Sequence, residues 1–124
     1  MEAKPKIVLC DDSITNLRVG KNFLSPQYEV FTMLSAQQMF KCLEKHAITL
    51  ILLDIDMPEM DGFEAIQVLK ASEATSQIPV IFLTGNADDA TRQRGQELGA
   101  VDFIAKPFTP ELLLERVASH LLRR

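Results

Sequence analysis

Four short runs along the chain are almost wholly apolar: Ile7-Val8-Leu9-Cys10, Leu50-Ile51-Leu52-Leu53, Val80-Ile81-Phe82-Leu83 and Phe103-Ile104-Ala105. Unbroken apolar runs of this length, without alternation, predict strands covered on both faces. A fifth segment, residues 28–33, interrupts its apolar residues with Glu29 and Thr32, which suits a strand at a sheet edge. Between the strands, apolar residues recur at helical spacing: Ile14, Leu17 and Leu24, then Met39, Phe40 and Leu43, then Phe63, Ile66 and Leu69. Residues 88–98 are polar with a weak stripe ending at Leu98, and predict a loosely packed helix. The final helix is the best marked. Thr109 can cap it, Pro110 suits its first position, Leu112, Leu113, Val117 and Leu121 form its stripe, and Arg123 and Arg124 complement its C-terminal dipole.

Strands alternating with helices argue for an α/β protein of five βα units around a parallel sheet, joined by right-handed crossovers. The 124 residues suffice for one domain, read here as residues 1–124 with a short tail over 1–6. A net charge of −4 and a pI of about 5.1 disfavour a nucleic-acid partner, and no basic patch offsets them. No apolar run exceeds four residues, so neither a membrane span nor a signal peptide is expected. Cys10 and Cys42 match neither a zinc site nor a disulfide framework, and their reduced state suits a cytoplasmic protein.

In open sheets of this kind, ligands bind outside the carboxyl ends of the strands. Those ends carry Asp11-Asp12, Asp54, Thr84 and Lys106. Any single aspartate there could be a helix cap or a solvated loop residue, but the set is harder to explain that way. Two like charges about 4 Å apart repel by roughly 4 kcal/mol at an effective dielectric near 20, so clustered carboxylates call for a cation. Oxygen ligands with room for water suit magnesium, with manganese able to replace it. Beside such an ion Asp54 could attack phosphorus, while the Thr84 hydroxyl and the Lys106 ammonium satisfy the oxygens of the transferred group. Gly85 leaves the approach open.

Asp11-Asp12, Asp54 within Leu52-Leu53-Asp54-Ile55-Asp56-Met57-Pro58-Glu59-Met60-Asp61-Gly62, Thr84-Gly85, and Lys106-Pro107-Phe108 together resemble the response-regulator receiver family of two-component signalling. The resemblance covers nearly the whole chain and all five core positions. It implies a flavodoxin-like (βα)5 fold with strand order 2-1-3-4-5, helices on both faces, and a cis bond before Pro107. It implies that Asp12, Asp54 and the backbone carbonyl of Asp56 hold the metal, with Asp11 acting through water, and that Asp54 is the phosphoacceptor. It further implies that Thr84 and Phe103 form the switch and that the surface of the fourth helix, fifth strand and fifth helix carries the output. The implied partners are a sensor histidine kinase or phosphotransfer protein as donor, and an effector protein or fused output domain as recipient. Dimerisation on phosphorylation lies within the family's range. Such a domain is not an enzyme in its own right, though it assists its own phosphorylation and dephosphorylation.

Three other functions fit the pattern less well. A flavodoxin-like carrier of FMN would need a hydroxyl- and glycine-rich loop where Asp11-Asp12-Ser13 stands. A phosphohydrolase is suggested by Asp54-Ile55-Asp56, which is similar to the paired aspartates of haloacid-dehalogenase-type enzymes, but Pro58 breaks the pattern and no cap fits. A degenerate receiver used for docking or dimerisation would not need the intact acidic set. Elsewhere, His46 and His120 read as surface residues, Met33 and Met39 as core, and Asp61-Gly62 as the start of a helix.

Overall fold

The computed structural model describes residues 3–122. In chain order the elements are β1 (Lys6–Cys10), α1 (Ile14–Leu24), β2 (Glu29–Met33), α2 (Ala36–Lys45), β3 (Leu50–Asp54), α3 (Gly62–Ala71), β4 (Val80–Thr84), α4 (Asp89–Leu98), β5 (Asp102–Ala105) and α5 (Pro110–Leu122). All four strand pairings are parallel, and the order across the sheet is β2-β1-β3-β4-β5. That is the flavodoxin-like arrangement expected from the sequence.

The unbroken apolar runs make sense as two cores facing opposite ways. Successive side chains of a strand point to opposite faces, so Val8, Ile51, Leu53 and Phe82 pack with Met39, Ile66 and Leu69 on one side. Ile7, Leu9, Leu50, Leu52, Ile81 and Leu83 pack with Leu17, Leu24, Leu113 and Val117 on the other. Each fully buried Leu or Ile contributes about 1.5–3 kcal/mol of transfer free energy, and every residue of β3 and β4 is buried. β2, at one edge, buries only Val30 fully.

Helix starts follow local chemistry. Ser13, Ser35, Asp61 and Asp88 each accept a backbone N–H of the first turn they precede. At α3 the cap is reciprocal: Glu64 N–H donates to Asp61 at 2.8 Å and Asp61 N–H donates to Glu64 at 3.0 Å. Thr109 caps α5 as expected, its hydroxyl accepting the Leu112 N–H at 3.2 Å. α4 buries only Gly95 and ends on Gly99, whose φ of 110° needs a residue without a Cβ. Among the described residues no helix is long and apolar enough to cross a membrane.

Three expectations change. Ile14 opens α1 and stands 58% exposed, so the buried stripe is Leu17, Gly20 and Leu24. His120 is not a surface residue: it is buried, with Nε2 2.8 Å from the Asp102 carboxylate. His46 ends α2 half-buried, its ring centroid 4.5 Å from that of Phe31. Arg123 and Arg124, expected to complement the α5 dipole, lie outside the described residues.

Gly62 has a structural reason to be glycine. A Cβ there would lie 2.7 Å from the Asp54 carbonyl oxygen and 2.8 Å from Ile55 Cα. Both are backbone atoms that cannot swing aside. Gly62→Ala is therefore expected to destabilise the fold by about 1–3 kcal/mol, as overpacking does, despite alanine's better helix propensity. Urea unfolding with an unchanged m-value would measure it.

Candidate functional site

The parallel register brings the strand ends together. Cys10 pairs with Leu53, Asp54 with Leu83, and Thr84 with Ala105. Asp11, Asp54, Thr84 and Lys106 consequently share one end of the sheet. Asp54 and Thr84 are the last residues of β3 and β4, which lie inside the sheet order, and both are only 1% exposed.

Asp11, Asp12 and Asp54 each offer a carboxylate oxygen within 4.8 Å of the others. Lys106 Nζ bridges two of them, 2.9 Å from Asp54 Oδ1 and 3.3 Å from Asp11 Oδ2. The Asp56 N–H adds a bond of 3.2 Å to Asp54 Oδ1. Asp54 Oδ2 is buried without any hydrogen-bond partner among the described residues. A buried, unpartnered carboxylate oxygen beside two further carboxylates is a donor set for a hard divalent cation. The site therefore fits magnesium. Asp12 is exposed, which leaves one side open to water, and the Asp56 side chain is exposed as well.

Burial pushes the Asp54 carboxyl up to about 6, with help from the charge on Asp11, against the opposing Lys106 and Asp56 contacts. Burial alone would lower the Lys106 ammonium, but its bonds and charge interactions with Asp54 and Asp11 reverse this and leave it raised. Cys10, behind the site, is pushed up to about 12 by burial and by Asp11, Asp54 and Asp12, so its thiol stays protonated, 3.7 Å from the Met57 sulfur.

The Thr84 hydroxyl donates to the Asn86 carbonyl at 3.0 Å and accepts the Asn86 N–H at 3.0 Å, so it is bonded within its own loop. Phe103 is 4% exposed, with its ring centroid 5.9 Å from that of Phe82 and the Arg92 guanidinium 5.7 Å above it. Gly95 makes room for it: a Cβ there would fall 2.6 Å from Phe103 Cζ. A Cβ at Gly85 would meet nothing within 4 Å, so the approach there is open, as expected. The bond between Lys106 and Pro107 is cis.

Sequence reasoning missed two features. Asn16 and the Ser13 N–H both donate to Asp11, at 3.2 and 2.9 Å. The spacing of a capping serine and a polar residue three positions on could have signalled this. Asp102 pairs with Arg116 and His120 across the gap between β5 and α5, and nothing local in the sequence announces it.

Comparison with known proteins agrees with this geometry. The family model of the response regulator receiver domain matches residues 7–118. A probable cyclic di-GMP phosphodiesterase of Vibrio cholerae is 42% identical over 115 residues, covering 93% of this chain and 26% of that protein. The chain spans about half the length of most other curated relatives it matches, 49% in four of them. Among solved structures, the chemotaxis protein CheY4 of Vibrio cholerae superposes with a TM-score of 0.90 at 29% identity, covering 94% of this chain and 98% of its own. The receiver domain of the sensor histidine kinase PA1611 of Pseudomonas aeruginosa, described with magnesium coordinated in its active-site cleft, gives 0.83 at 30% identity, covering 95% and 97%.

A parallel five-stranded sheet with acidic residues and a lysine at its carboxyl edge defines a signalling domain of the receiver class. This chain belongs to the response regulator receiver family of two-component systems. Receivers typically act as phosphorylation-dependent switches, bind magnesium in the acidic pocket, and interact with histidine kinases and output domains.

A folded-state pKa raised above the unfolded value implies stability that is fully present below the unfolded pKa and lost as pH rises through the folded one. With Asp54 moved from 3.8 to about 6, ionising it in the metal-free protein costs on the order of 3 kcal/mol. Asp54→Asn removes that cost. The unfolding free energy of wild type relative to this variant, measured in chelator, should fall by that order between about pH 4 and pH 7.

Proposed function

We propose that this receiver accepts a phosphoryl group on Asp54 from a phosphohistidine donor and relays the change through α4, β5 and α5. The observation that carries this reading is Asp54 itself: buried, one oxygen held by Lys106 and the Asp56 amide, the other unpartnered, and two more carboxylates within reach. Magnesium, or manganese in its place, would be held by Asp12, Asp54 and the Asp56 backbone carbonyl, with Asp11 through water, and would neutralise charge on the incoming phosphoryl group.

The chain's own residues do the rest. The Asp54 carboxylate forms a bond to phosphorus as the bond from phosphorus to the donor nitrogen breaks, and the electron pair leaves with the imidazole. Lys106 turns its ammonium from the carboxylate to a phosphoryl oxygen, keeping a charge-assisted hydrogen bond as the negative charge moves from Asp54 to the phosphoryl group. The Thr84 hydroxyl exchanges Asn86 O for another phosphoryl oxygen, drawing residues 85–88 toward the site. Because Phe103 already lies inside, against Phe82 and Gly95, the switch between Thr84 and Phe103 reads out as a shift of α4 over that ring.

In this reading the domain acts in the cytoplasm, is not an enzyme on its own, and passes its signal to an effector protein or a fused output domain. Dimerisation of the phosphorylated form through the output surface is one such route.

Incubation with magnesium and a small acyl-phosphate donor tests the central claim. Intact mass should show one added phosphoryl group, labile to hydroxylamine and absent in Asp54→Ala. Addition that persists in Asp54→Ala, or no addition to wild type, refutes it. Thr84→Ala should still be phosphorylated yet lose most of the amide chemical-shift response across residues 86–98 and at Phe103; a full response would show that Thr84 does not couple site to surface.

A further inference from the structure

Asp11 is completely buried, and its two oxygens are satisfied by three donors of different kinds. Oδ1 accepts the Ser13 N–H at 2.9 Å, while Oδ2 accepts Asn16 Nδ2 at 3.2 Å and Lys106 Nζ at 3.3 Å. Of these only Lys106 carries charge, and its shorter contact, 2.9 Å, goes to Asp54. A phosphoryl group on Asp54 would draw that ammonium further from Asp11. The carboxylate would then be left with the two neutral donors, one of them a backbone group that cannot be retuned.

Asn16 is held at both ends. Its own N–H donates to the Ser13 hydroxyl at 3.3 Å, in the capping turn of α1, while its side chain reaches back to Asp11. The side chain is half-buried, so little rotamer freedom remains to be lost on binding a ligand. Its chemistry also suits the place. An amide donor stabilises the Asp11 charge without bringing a second cation to compete with a divalent ion, and a carboxylate there would add to the repulsion already present.

We propose that Asn16 is a positioning residue for the cation-dependent step: through its hydrogen bond to Asp11 Oδ2 it holds that carboxylate in the orientation the divalent ion requires. The proposal rests on the phosphoacceptor reading above. It assigns to Asn16 no contact with the ion or the phosphoryl group. Its effect falls on how tightly the ion is held, because Asp11, which reaches the ion through water in this reading, keeps its orientation only while its own hydrogen bonds are in place.

The test uses the whole chain and two readouts: calorimetric titration with magnesium alone, and the rate of phosphoryl uptake from a small acyl phosphate as magnesium is varied. Asn16→Ala should raise the magnesium dissociation constant and the half-saturating magnesium by about 10-fold, with the rate at saturating magnesium changed by less than about twofold. Asn16→Gln, which keeps the donor, should recover most of the affinity. Thr15→Ala, on an exposed position of the same turn, should behave as wild type. A purely structural role would lower the melting temperature of Asn16→Ala while leaving its magnesium midpoint at the wild-type value, and that result overturns the assignment. If wild type shows magnesium-dependent uptake and Asn16→Ala matches its midpoint, only the role of Asn16 falls. If wild type neither binds magnesium nor takes up phosphoryl groups, the phosphoacceptor reading falls with it.

Discussion

The structure turns on like charges held together where water cannot screen them. Asp11 and Asp54 are 0% and 1% exposed, and a bridging ammonium from Lys106 makes their proximity tolerable. Repulsion of this kind is expensive at low effective dielectric. Burial first, and that field with it, raises Asp54 and keeps the Cys10 thiol protonated, and the clustered charge creates a demand for positive charge that a divalent ion answers. The site is electrostatically incomplete by construction, and its ability to sense a change of charge follows from that.

Holding such a site together requires a rigid frame around it. The two-sided core supplies this, because β3 and β4 are buried along their whole length and stop at Asp54 and Thr84. α4 is the lightly packed element: it buries only Gly95 and rests on the frame at Phe103 and Phe82, with Leu98 packed partly against the core. Segments with few buried apolar contacts open and shift at low cost. A well-packed site beside a lightly packed helix is the mechanical contrast that a switch needs.

The α5 side is fastened differently. Asp102 accepts Arg116 and faces His120, so the strand bearing Phe103 is tied to the last helix by polar contacts as well as by Ile104, Leu113 and Val117. β5 and α5 are thus joined by both polar and apolar contacts.

Much of the fold was legible in the chain because each strand and helix is encoded locally. Doubly covered strands read as apolar runs, the edge strand as a mixed one, and two helix starts as the Asp61 and Thr109 caps. The acidic set was legible for a related reason: strand ends in a parallel sheet converge, so Asp11, Asp12, Asp54, Thr84 and Lys106 could be placed together once the strands were known. What the tertiary structure alone decided is who pairs with whom across the chain. The burial of His120 against Asp102, the sharing of Lys106 between two carboxylates, the tie from Asn16 to Asp11 and the seat of Phe103 on Gly95 all depend on distances between elements packed side by side. Periodicity tells which face of a helix is covered, but it carries no information about the atom that covers it.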